Sequence, residues 1–381
     1  MADQPVNLVV IGAAGVGKST LLDYLSGGNE FGGPHDSQPT PKGFFFKETK
    51  MGGVPVRLID TWGIESNKTK EWLSYFDEEV ARRDALSDIG TRFHGVLYLI
   101  DAAMDRLHQF ELVTLKYLVQ RRCSVTVVLT KARKASEQTI QILRTLIAGK
   151  FGDEISVVAV ESKRETLRDG NVSSCFGRDA IEHEVIRLFW KTVRAEIPLR
   201  VGKLLEQQVV DKWDRYCDRY LRSFFARMVW LSSLAYRLKR RSKTVVNTLN
   251  RSAGHFYWKE IGSIKKQYPL LAESLDLSTV WKSSDDIGCI ESVFDASVVA
   301  PSHLELFISG ATFRWYDPLG PQLAKLDNAA LEFSQQIKKE IQTRLVPELD
   351  YLISKMRLKP IKRSERDDGL INRLISRIRS R

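Results

Sequence analysis

The sequence predicts an α/β domain with a mostly parallel central sheet, followed by a mostly α-helical C-terminal domain. Three observations predict it. Apolar runs rich in β-branched residues at 6–11, 95–100, 125–129 and 155–160 alternate with segments of helical spacing, the order that builds a parallel sheet. Each run is apolar but for at most one residue (Asn7, Thr126 and Ser156 are the exceptions), as suits a strand covered on both faces. Beyond Pro198, apolar residues such as Leu205, Val209 and Trp213 recur at steps of three or four, with no strand-like alternation between them.

Composition bounds the answer. A chain of 381 residues suits about two domains at ~100–200 residues each. The formal charge is +11, which favours an anionic partner such as nucleic acid, an acidic membrane or an acidic protein. Much of that excess sits in a tail, because 355–381 holds ten Lys and Arg against three Asp and Glu. Cys123, Cys175, Cys217 and Cys289 are far apart with no C-x-x-C pair, which suits reduced thiols and argues against zinc or a disulfide framework. The first four residues are too short for a signal peptide. The apolar stretch 224–238 contains Arg227 and falls short of the ~20 residues of a membrane span. The expectation is a cytoplasmic protein, soluble or at most peripheral to a membrane.

The first strand runs into Gly12-Ala13-Ala14-Gly15-Val16-Gly17-Lys18-Ser19-Thr20, and helical spacing begins at once with Leu21, Leu22 and Leu25. This is G-x-x-x-x-G-K-[ST] between a strand and a helix, the setting the motif needs. Its glycines let successive N–H groups turn inward on phosphate oxygens, and the helix N-terminus adds partial positive charge. Lys18 is expected to reach the β- and γ-phosphates, and Ser19 to ligate Mg²⁺. The stretch 26–42 is dense in Gly and Pro and predicts a loop. Runs at 43–49 and 54–59, joined through Gly52-Gly53, predict a hairpin. The second run ends in Asp60-Thr61-Trp62-Gly63. An Asp at the end of a buried strand is placed to hold Mg²⁺, and Gly63 to offer its N–H to a γ-phosphate.

With these two motifs in register, the chain resembles the P-loop GTPases of the translation-factor-related class over about 6–198, with a septin- or Era-like domain ahead of a helical extension. The resemblance implies GTP or GDP as ligand and Mg²⁺ as cofactor. It implies that Thr40 closes on Mg²⁺ and γ-phosphate as a catalytic and metal-binding switch residue, with Ser37 as a stand-in. The residue after Gly63 often orients the attacking water in this class. Here it is Ile64, which has no donor or acceptor, so hydrolysis is expected to be slow or to draw its polar group from elsewhere. The charged segment 65–89 then reads as a second switch with an insert.

Thr130-Lys131-Ala132-Arg133 occupies the place of the base-reading [NT]-K-x-D motif. Arg133 replaces the Asp that accepts from guanine N1–H and the 2-amine, and a guanidinium cannot accept. Base specificity is therefore open, with Glu137 as a substitute acceptor. Glu161-Ser162-Lys163 falls where the family's S-A-K loop contacts the base through its backbone.

The division expected is a nucleotide-binding domain at 1–198, a helical domain at 199–356 and a basic amphipathic tail at 357–381. Pro198 is expected to break one helical pattern from the next. An aromatic stripe including Trp213, Tyr216 and Tyr220 reads as core or interface. The basic run 239–243 reads as a solvated face, 252–320 shows no period, and 323–356 is helical with Leu326, Leu331, Phe333 and Ile337 on its apolar face. In 369–381 an aliphatic edge beside Arg373, Arg377 and Arg381 has the composition of an interfacial helix. Three functional readings follow. The first is a slow GTPase acting as a conformational switch. The second is a self-assembling or membrane-associated scaffold with a homodimer across the nucleotide face and an anionic membrane or protein partner at the tail. The third is an NTPase of relaxed base specificity. None includes sequence-specific nucleic-acid binding.

Overall fold

The computed structural model describes residues 3–27, 42–86, 88–104, 106–165, 172–221, 231–276, 320–354 and 357–358. Thr40, Ser37, residues 224–230 of the apolar run 224–238 and the tail 369–381 lie outside the described residues. Among the described residues no helix is long and apolar enough to cross a membrane. Contacts divide the chain into two units, one of 1–193, 264–275 and 358–381, the other of 194–263 and 276–357.

The first unit holds a six-stranded sheet in the order β2-β3-β1-β4-β5-β6. Its strands are β1 (Val6–Gly12), β2 (Phe44–Met51), β3 (Val54–Thr61), β4 (Gly95–Asp101), β5 (Val125–Thr130) and β6 (Ile155–Ala159). All neighbours pair in parallel except β2 with β3, the expected hairpin, which turns at Gly52 and Gly53, both at positive φ. β1 is buried at every position, in keeping with a run whose one polar residue is Asn7. Helices α1 (Lys18–Ser26), α2 (Thr69–Ala85), α3 (Gln109–Gln120), α4 (Glu137–Phe151) and the first part of α5 (Arg178–Leu205) belong to this unit. β1 has β3 on one side and β4 on the other, so the chain leaves it in both directions. That reversal opens a crevice at the carboxyl ends of the strands, where ligands of such sheets bind.

At the opposite end of β1, buried His94 fixes the start of β4. Its Nδ1 accepts from Asn7 N at 2.8 Å, and Nε2 lies 3.0 Å from Ile89 O, so the ring is a neutral Nε2–H tautomer. Burial pushes its pKa down to about 4.

The second unit is helical. It contains α6 (Asp211–Leu221), most of α7 (Leu231–Gln267), α9 (Gly320–Glu340) and α10 (Val346–Ser354), and a short α8 (Pro269–Glu273) follows α7 within the first unit. Two π-helical turns, Glu206–Val210 and Ile341–Leu345, interrupt its helices, and Gln342 Nε2 donates to Glu206 Oε1 at 2.7 Å between them. Trp213 is the anchor, with Nε1 donating to Ala330 O at 3.2 Å and its ring edge-on to Phe333.

Four expectations need correction. Pro198 lies inside α5, which continues to Leu205. An internal proline costs about 3 kcal/mol, and fully buried Ile197, Val201 and Leu205 supply the packing that overrides it. Of the segment 252–320 the part up to 276 is described, and its first stretch is periodic, since Ala253, Tyr257, Ile261, Ile264 and Tyr268 are buried at helical steps and α7 runs through Gly254 and Gly262. In α6 the face turned inward is Trp213, Cys217 and Leu221, while Tyr220 is exposed with its ring tilted by 32° against that of Tyr216. Leu331 is exposed as well, its neighbour Ala330 taking the inward position.

Candidate functional site

The crevice is lined by the ends of β1, β3, β4, β5 and β6, and its centre is the loop from Gly12 into α1. Gly17 sits at φ 100° and is the N-cap of α1, so no side chain caps the first helical turn. Gly15 also takes positive φ, at 73°. These are conformations open to glycine, and they aim first-turn N–H groups at a ligand. Lys18 is buried, its Nζ donating to Ala13 O at 2.9 Å and Gly12 O at 3.2 Å. Burial pushes its ammonium down to about 8, opposed by the nearby Asp60 carboxylate. Ser19 is half-buried beside it, and Thr20 is exposed.

Two flanks bound this loop. On the first, Asp60 is buried at the end of β3, and Thr61 Oγ1 ties that strand to Val10 O at 2.8 Å. Gly63 follows at such close approach that a Cβ there would stand 2.6 Å from Ala14 Cα. Ile64 N donates to Gly12 O at 3.0 Å, and Ala14 N donates to Ile64 O at 3.4 Å. The Ile64 side chain is buried in the sheet's core cluster with Trp72 and Phe76. It does not face the crevice. Trp62 continues the anchoring, edge-on to Tyr75 at 4.6 Å and accepting from Trp72 Nε1 through its carbonyl.

On the second flank, Thr130 Oγ1 donates to Val16 O at 2.7 Å. Lys131, in left-handed backbone conformation, crosses the phosphate loop with Nζ donating to Gly15 O at 3.1 Å and Asp101 Oδ2 at 2.6 Å. Asp101 stands at the end of β4, just past the apolar run 95–100. Its signal was the same as that of Asp60, an acid closing a buried strand. The Arg133 guanidinium turns away to Ser174 O at 2.6 Å, while its backbone N–H donates to the buried Glu161 carboxylate. Ser162 is half-buried, Lys163 is exposed with its N–H on Glu161 Oε1, and Glu137 stands exposed on the first turn of α4. The structure brings Lys18, Asp60, Gly63, Thr130 and Lys131 to the loop from Gly12 into α1, and sets Glu161 beside the turn at Arg133. Among the described residues it shows no side-chain contact in the crevice for Thr20, Ser162, Lys163 or Glu137.

Residues 7–143 match the family described as 50S ribosome-binding GTPase. That match, on a segment whose two motifs flank one crevice, decides the identity of the segment. Residues 7–143 are a P-loop GTPase domain. Solved structures similar to the chain include the translation elongation factor SelB from Methanococcus maripaludis with the GTP analogue GppNHp, at 18% identity and TM-score 0.34. That likeness covers 49% of this chain and 34% of SelB, so the chain spans about a third of that factor's length. Toc33 from Arabidopsis thaliana with Mg²⁺ and GMPPNP is similar at 19% identity and TM-score 0.35, covering 50% of this chain and 85% of that one. No curated protein matches the chain. GTPase domains of this family bind GTP and GDP with Mg²⁺. The donor set here fits that ion: the Asp60 carboxylate and the Ser19 hydroxyl are hard oxygen ligands, and Mg²⁺ takes its remaining ligands from phosphates and water.

Proposed function

We propose that the protein binds GTP and GDP in the loop Gly12–Thr20, hydrolyses GTP slowly, and uses the bound nucleotide as a conformational switch with the helical domain 199–356 as its output. The observation that carries this reading is the burial of Ile64. Its backbone is bonded to Gly12 and Ala14 while its side chain packs in the core, so the residue that follows Gly63 has nothing to offer a water. Lys18 binds the β- and γ-phosphates and recovers its full charge on doing so. Ser19 and Asp60 hold Mg²⁺, which when bound neutralises phosphate charge. The Ala14 N–H, now on Ile64 O, is released toward a phosphate oxygen, and the loop at Gly63 and Ile64 shifts with it. That exchange is the switch, and Thr40 is its partner from the other loop.

Isothermal titration with Mg²⁺ and GTP, GDP or ATP, beside single-turnover hydrolysis, tests the reading. It requires micromolar or tighter GTP binding, removed by Lys18→Ala, and a turnover of about 10⁻³ per second or less, the scale of an unassisted GTPase. Wild-type protein that binds no nucleotide refutes it. A rate per molecule that climbs steeply with protein concentration would favour the rival in which a homodimer across the nucleotide face completes the site.

A further inference from the structure

The two flanks of the phosphate loop divide a nucleotide between them. The flank of Asp60 and Gly63 carries the buried carboxylate coupled to Lys18 and belongs to the terminal phosphate and its cation. Ribose and base must then extend over the other flank, past Lys131 and toward the ends of β5 and β6. On that flank stands one buried carboxylate, Glu161, which is 5% exposed.

Glu161 is held rigidly. Its backbone forms an antiparallel bridge with Phe176, donating at 3.1 Å and accepting at 3.0 Å. Val160, just before it, accepts from Ala132 N and donates to Leu129 O, which ties the turn after β6 to the turn after β5. Among the described residues the carboxylate accepts two backbone N–H groups, Arg133 N at 3.3 Å on Oε2 and Lys163 N at 3.2 Å on Oε1. Both bonds are at the long end of the N–H···O range. An ionised carboxylate offers about four acceptor sites, so roughly two remain. Among the described residues no cation pairs with Glu161, and Arg133 has turned its guanidinium to Ser174. A buried carboxylate with acceptor capacity to spare, in a place the ligand crosses, needs donors.

We propose that the Glu161 carboxylate, and neither position 133 nor Glu137, is the acceptor that reads the N1–H and 2-amino donors of guanine. The inference rests on the GTP-binding reading above. Its chemistry explains how Arg133 is tolerated: the acceptor comes from the end of β6 instead of the end of β5, and the two loops are hydrogen-bonded together there. Adenine presents an acceptor at N1 where guanine presents a donor, so the same carboxylate would repel it. Xanthine replaces the 2-amine with a carbonyl and is likewise repelled by a carboxylate, whereas an amide at the same place could donate to it.

The test is a binding panel of GDP, IDP, XDP and ADP with Mg²⁺ on the full chain, for wild type, Glu161→Gln and Glu137→Gln. Wild type should prefer GDP over ADP, and should bind IDP, which lacks the 2-amine, about tenfold more weakly than GDP. Glu161→Gln should weaken GDP about 30-fold or more and strengthen XDP at least tenfold, a gain that general damage to the site cannot produce. Glu137→Gln should leave every ratio within twofold. An unchanged GDP to ADP ratio in Glu161→Gln, or no gain for XDP, overturns the proposal. Equal binding of GDP and ADP by wild type overturns it while leaving the phosphate-loop reading standing, and binding of neither overturns both. Should Glu161→Gln not fold, the exposed Glu137 decides: a retained preference with IDP rejected by wild type supports Glu161, and a lost one refutes it.

Discussion

The two flanks of the phosphate loop are built in opposite ways. At Asp60 to Ile64 the chain is fastened by its backbone, through Ile64 to Gly12 and Ala14, and by an aromatic cluster around Trp62. At Thr130 to Glu161 it is fastened by side chains: a hydroxyl on Val16 O, an ammonium shared between Gly15 O and Asp101, and a carboxylate under two amides. A backbone fastening can be made and broken by a phosphate without any change of residue, which suits the flank proposed to sense a γ-phosphate. A side-chain fastening depends on residue type, and it can be supplied from a neighbouring strand end when one position changes. The flank that follows its motif in Asp60 and Gly63 is apolar where a water must be oriented, and the flank that departs from its motif at Arg133 still holds a buried carboxylate.

The contrast can be broken most forcefully at the shared centre. Lys18→Ala should weaken GTP and GDP about a hundredfold or more, because a buried ammonium facing two phosphates is removed and the flanks alone cannot hold them. Retention of GTP affinity within threefold, measured by titration, would dismiss the phosphate loop as the site. On the first flank, Ile64→Gln should leave single-turnover hydrolysis unaccelerated and lower unfolding stability by about 2 kcal/mol, since the amide enters an apolar core. A tenfold faster rate at undiminished stability would show that the side chain can reach the crevice. On the second flank, Asp101→Asn should weaken nucleotide binding about tenfold by releasing Lys131 from its 2.6 Å ion pair, with no change in the hydrolysis rate of bound GTP. An equal loss of both would mean that the two flanks act as one.

The smallest effect concerns pH. Burial holds Lys18 at about 8, below the ordinary 10.5 of a lysine, so its charge is lost as pH rises through 8 in the free protein. Phosphates bind the ammonium, hence affinity should fall between pH 7 and 9, by up to about tenfold per unit above 8. The same depression makes the charged lysine unfavourable to the fold at pH 7, because the unfolded chain binds that proton more tightly. Unfolding of nucleotide-free protein should therefore grow harder relative to Lys18→Met as pH goes from 8 toward 10.5. Affinity flat from pH 7 to 9 would place Lys18 in a more solvated setting than its burial implies.

The sequence by itself determined the six strands' main runs, the phosphate loop and the position of Asp60. These are local matters. Glycines set backbone curvature, β-branched runs set buried strands, and an acid at a strand end lies in the crevice wherever the sheet is parallel. It also marked, by their distance along the chain, the loops expected to face a base, with Arg133 as a misfit. What it could not determine was where side chains of ambiguous role would turn. Ile64 faces the core, Arg133 faces Ser174, and Glu161 lies beneath the backbone of residue 133, and each direction is set by packing between segments distant in sequence. Pro198 inside α5 and the helix through Gly254 and Gly262 have the same cause, since buried contacts from other elements outweigh a local preference worth about 1–3 kcal/mol. Only the tertiary structure decided these, because a side chain's direction depends on which neighbours leave it room and which polar groups await it, and the chain's own order does not list them.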